Sequence, residues 1–137
     1  MRQGAEYFAL ALTAAVEARE RPLLAPLPGA PASLLGMLSD RGAAIPVFAA
    51  SRILEVEGGG GEEVLVIVRD GARQIGLVVD EVEDVIMADL TVMQQPMGSM
   101  RGDGVVRGVV RSGTRLVAVL DARALVRIGA RALPELA

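Results

Sequence analysis

Asp80, Glu81, Glu83 and Asp84 form the densest run of chemistry-bearing side chains in the sequence. Four carboxylates so close are the donor set of a hard divalent cation, or of an acid–base pair. In an extended segment, however, 80 and 84 face one side and 81 and 83 the other, so their oxygens do not converge. They are expected instead to be solvated charges that guard a strand edge against pairing with another sheet. Gly102-Asp103-Gly104 with Gly108 misses the dinucleotide fingerprint and opens no predicted helix. Met87, Met93, Met97 and Met100 offer an adaptable contact surface, but filling space beneath a long connection is the plainer expectation. Cysteine and histidine are absent. That removes thiol nucleophiles, imidazole catalysis and the usual soft-metal sites. All 14 basic residues are arginine, so there is no Schiff-base lysine and no phosphate loop of the Walker type. No catalytic residue, cofactor or metal is expected.

The elements that would position any site must be built from aliphatic residues, because aromatics are only 2% of the 137 residues. Hydrophobic residues make up 52% and charged residues 23%, the balance of a globular chain. The net charge is −3 and the arginines form no stripe, which argues against nucleic acid. No apolar run approaches the roughly 18 residues of a membrane span, and no basic-then-apolar leader opens the sequence. A cytoplasmic protein is expected.

The strongest strand signal is a hairpin, Val64–Val68 and Arg73–Val79, joined through Asp70-Gly71. Residues 5–20 read either as helix, from Phe8, Leu12 and Val16, or as strand. Pro22, Pro26, Pro28 and Pro31 impose an extended connection. A short helix is expected near 32–35, then a hairpin around Asp40-Arg41-Gly42. Gly58–Gly61 marks an internal boundary within a single domain of residues 1–137. A third hairpin surrounds Ser112-Gly113, and Asp121 caps a helix over 121–127.

A weak internal repeat organises these pieces. Gly36 through Leu54 aligns without gaps on Gly108 through Val126. Ala9-Leu10-Ala11-Leu12 aligns on Gly76-Leu77-Val78-Val79 at a slightly shorter offset, which makes 9–12 a strand. The counterpart of Val64–Val68 then falls at or before residue 1. The first copy is expected to lack its opening strand and to leave one sheet edge unpaired. Arg41 aligns with Gly113, so the turn itself does not call for arginine.

The order of Pro26-Leu27-Pro28-Gly29, Leu35-Gly36, Arg41-Gly42, Ile45-Pro46-Val47, Ile75–Val82, Arg107-Gly108 and Leu116–Asp121 resembles the CheW-like domain, over about residues 7–127. The resemblance implies an all-β fold of two pseudo-repeated, intertwined, SH3-like five-stranded β-barrels. It implies a non-catalytic adaptor that couples chemoreceptors to a CheA-type histidine kinase. Arg41 and Glu17, with Leu35 and Gly36, would meet the cytoplasmic tip of a methyl-accepting chemoreceptor. Val47, Phe48, Val117 and Val119 would serve the kinase regulatory domain. Ala11, Ala18-Arg19 and Ala49 depart from the family pattern, which casts the first half as degraded and the second as intact. A self-associating scaffold, completed by a strand from another copy or a partner, is the alternative expectation.

Overall fold

The computed structural model describes residues 1–26, 28–29, 31–56, 63–83, 93–94 and 104–132. The glycine run at 58–61, Asp84, Met87, Met97, Met100 and Gly102-Asp103 lie outside these. The chain opens with β1 (Arg2–Gln3), β2 (Glu6–Ala9) and β3 (Ala15–Glu20). The hairpin β4 (Leu34–Asp40) and β5 (Ala43–Ala49) leads into α1 (Ala50–Ile53). Then come β6 (Val64–Asp70) and β7 (Arg73–Val79), followed by β8 (Val106–Ser112), β9 (Arg115–Leu120) and α2 (Ala122–Ala132).

Two sheets result: a five-stranded one in the order β3-β6-β7-β5-β4 and a four-stranded one in the order β1-β2-β9-β8. β6 explains why its sequence is apolar without alternation. Leu65 and Ile67 face into the five-stranded sheet with Leu38, Ile45, Val47 and Val78. Val66 and Val68 face the other way, into a core shared with Phe8, Phe48, Leu120 and Leu125. A strand buried on both faces needs apolar residues at every position. Each such side chain contributes about 1.5–3 kcal/mol by leaving water.

The two edges of the five-stranded sheet are drawn together. Ala25 and Met37 exchange backbone hydrogen bonds of 3.0 and 2.8 Å, and Arg19 of β3 lies 3.7 Å from Asp40 of β4. Gln94 and Val109 repeat the exchange on the four-stranded sheet at 2.9 and 2.7 Å. These crossings fix two glycines. A Cβ on Gly36 would lie 2.8 Å from the Ala25 carbonyl oxygen, and one on Gly108 2.5 Å from that of Gln94.

The repeat is structural. β4 starts at Leu34 and β8 at Val106, while β5 starts at Ala43 and β9 at Arg115, the same offset in both pairs. Val47 pairs in parallel with Gly76, and Val119, its counterpart, with Ala9, the residue that the sequence repeat aligns with Gly76. The alignment therefore holds, but the strand it implied at 9–12 is Glu6–Ala9, and residues 12–14 are turn. The helical reading of 5–20 fails for the same reason: tertiary pairing overrides the propensity of the alanines. The segment at 32–35 is also no helix, since Pro31–Leu34 closes a single turn before β4. The short helix lies instead at Ala50–Ile53. At the other repeat α2 runs on to Ala132, longer than expected, and Asp121 caps it by accepting from the Ala124 N–H at 3.2 Å. Ala49, at the equivalent position, makes no side-chain cap.

The division into a damaged first half and an intact second half needs correcting. The offset that sets Ala9 on Gly76 also sets Arg2–Gln3 on Arg69–Asp70, and β1 is therefore the end of a β6 equivalent. Because the halves interlock, this short strand belongs to the sheet of β8 and β9, while β3, β4 and β5 complete their sheet.

Candidate functional site

An apolar cleft of about 480 Å³ opens between the two sheets. One wall is Ala15, Glu17 and Ala18 of β3 with Val66 behind them, and the other is β2, β8 and β9. Its floor, Val110, Val117 and Val119 with Tyr7 and Ala9, is the interior of the four-stranded sheet, against which Met93 also packs. The matching space in the other sheet is filled by Leu65 and Ile67 of β6.

The acidic run closes one rim. Asp80 accepts from the Gly4 N–H at 2.8 Å and lies 3.7 Å from Arg2, with its side chain 2% exposed. Glu81 pairs with Arg2 at 3.2 Å. Glu83 accepts from Arg115 at 2.9 Å, and that hydrogen bond raises the guanidinium above its ordinary pKa. Arg115 also lies over the Tyr7 ring, 4.2 Å from its centre, a cation–π contact. Asp80 is thus a buried fastener of β1 rather than a solvated edge charge, while Glu81 and Glu83 remain at the surface and pair there with Arg2 and Arg115. Among the described residues no three Asp or Glu side chains gather to hold a cation. The sequence reading missed Arg2, Arg115 and Tyr7, whose partners are distant along the chain.

The residues expected to face a receptor are partly brought together. Arg41 stands exposed at the β4–β5 turn with φ +50, followed by Gly42 at +81, the left-handed pair of a type I′ turn. Among the described residues it has no ion-pair partner. Its neighbour Asp40 reaches Arg19, which shares a β3 face with Glu17. Glu17 lines the cleft and likewise has no partner among the described residues. Leu35 is half-buried, and Gly36 is buried by the crossing at Ala25. Glycine at 36 is therefore required by the fold itself.

Val47 and Phe48 are fully buried on β5, between β7 and β4. Neither side chain is exposed and β5 has no free edge in this sheet. Val117 and Val119 are nearly buried but reach the cleft.

The family model of the CheW-like domain matches residues 1–129. A curated relative, the chemotaxis protein CheW of Rhizobium meliloti (strain 1021), is 28% identical over 126 residues, covering 88% of this chain and 80% of that protein. The crystal structure of the scaffolding protein TtCheW from Thermoanaerobacter tengcongensis superposes with a TM-score of 0.76 at 21% identity, over 86% of this chain and 84% of that one. That likeness concerns the fold.

Proposed function

The chain belongs to the CheW-like domain family, and on that premise we propose that it is a non-catalytic cytoplasmic adaptor, binding a CheA-type histidine kinase regulatory domain and the cytoplasmic tip of a chemoreceptor. Its work is geometric: by holding both partners in fixed relation it lets receptor state bias kinase activity. The observation that carries the reading is Arg41, a charged residue kept at a left-handed turn position that its repeat counterpart fills with Gly113 at φ +62. Left-handed backbone costs a non-glycine residue about 1–2 kcal/mol, so an arginine with no ion-pair partner among the described residues points to use outside the fold. Exposed arginines are common anchors of interfaces. Glu17 and Leu35 extend the receptor face from Arg41 along β3 and β4, and Gly36 shapes it. Val47, Phe48, Val117 and Val119 support the domain from within.

Isothermal titration against the regulatory domain of the cognate kinase tests the first partnership; affinity weaker than about 1 mM from a folded sample would contradict it. Arg41→Glu is expected to leave kinase binding intact and to abolish receptor pull-down. Equal loss of both would refute the assigned role.

A further inference from the structure

The three hairpin turns hold their charges in three ways. At the β6–β7 turn Asp70 stands opposite Arg73 across the strands and also lies 3.7 Å from Arg123. At the β8–β9 turn the corresponding pair is Ser112 and Arg115, and Arg115 is turned to Glu83 at 2.9 Å. At the β4–β5 turn Asp40 stands opposite Ala43, so its carboxylate faces no cation across the hairpin. Its ion-pair partner is instead Arg19 of β3, at 3.7 Å. Because β3 and β4 are the outer strands of the five-stranded sheet, the pair reaches from one sheet edge to the other, beside Arg41.

Stability alone does not call for this pair. Both side chains are partly exposed, 35% for Arg19 and 25% for Asp40, and ion pairs in such settings add little. At 3.7 Å the groups are too far apart for a hydrogen bond. In reaching Asp40, Arg19 leaves its Nε buried with no hydrogen-bond partner among the described residues, which is a cost. Ser112, the repeat counterpart of Asp40, shows that such a turn needs no carboxylate. What sets Asp40 apart is its neighbour in the chain. A released carboxylate at 40 lies within reach of the long Arg41 side chain and would compete with any partner for that guanidinium. We propose that Arg19 is a positioning residue for the receptor face: by holding Asp40 it keeps that carboxylate off Arg41, so that the Arg41 guanidinium stays open to an acidic side chain of the receptor tip. The inference rests on the receptor role proposed above for Arg41, and adds to it the chemistry of the group recognised and the internal group that competes for the same cation.

The test is co-sedimentation of the protein with receptor-bearing vesicles over a concentration series. Arg19→Gln releases Asp40 and is expected to weaken binding about two- to fivefold, the range open to a surface ion pair. Asp40→Asn removes the competitor and should bind at least as tightly as the parent. The double variant Arg19→Gln, Asp40→Asn should recover parental binding, which assigns the loss in Arg19→Gln to Asp40 and not to Glu17 on the same strand face. Arg19→Lys keeps the cation and should bind as the parent does, since no bidentate bond is at stake. A brace that merely joined the sheet edges gives the opposite pattern: Asp40→Asn as damaging as Arg19→Gln, and no recovery in the double variant. That pattern overturns the proposal, as does parental binding by Arg19→Gln. Should Arg19→Gln fail to fold, Asp40→Asn still decides, because weakened binding there contradicts the assigned role. Arg41→Glu separates the two readings. If it abolishes binding while Arg19→Gln changes nothing, only this inference fails; if Arg41→Glu binds normally, the receptor role of Arg41 falls and this inference with it.

Discussion

Arg41 and Gly113 occupy equivalent turn positions with φ of +50 and +62, and only one of them is a residue suited to that backbone. Arg41→Gly should therefore hold or raise stability, by up to about 1 kcal/mol, while receptor binding is lost. Urea denaturation beside a receptor pull-down separates the two effects, and a marked loss of stability would show that the arginine serves the fold. Gly76 gives the opposite case. A Cβ there would lie 2.8 Å from Leu65 Cδ1 and 2.9 Å from Val47 Cγ2, so Gly76→Ala is expected to destabilise by about 1–3 kcal/mol through overpacking. The turn position of Arg41 was legible in the sequence because the repeat aligns it with a glycine. Asp80 and Glu83 were not, since an acidic run looks solvated until distant arginines are folded against it.

At the scale of elements, the two helices that follow equivalent hairpins differ as their caps differ. Asp121 satisfies an N–H at the start of the 11-residue α2, whereas Ala49 leaves the shorter α1 uncapped. Asp121→Ala should cost about 1 kcal/mol, seen as a lower midpoint in urea with an unchanged slope. The hairpins at 34–49, 64–79 and 106–120 were readable from apolar runs broken by Arg-Gly, Asp-Gly and Ser-Gly respectively. The strand at 6–9 and the turn at 31–34 were not, because such short segments carry too little periodicity to outweigh local propensity. Their conformations come from pairing with β9 and from the crossing at Ala25, both non-local. The cleft was not legible in the sequence for the same reason: its walls come from strands distant along the chain, β2 and β3 with β8 and β9.

At the scale of the whole molecule, two half-domains share one core, and the proposed receptor face is the exposed turn at Arg41. The proposed adaptor role is one of coupling. The most direct measurement is autophosphorylation of the cognate CheA-type kinase in the presence of receptor-bearing vesicles, with and without this protein. The account predicts that receptor control of the kinase appears only when the protein is added and is lost with Arg41→Glu at unchanged kinase affinity. Receptor control that needs no added protein, or that survives Arg41→Glu undiminished, would contradict it.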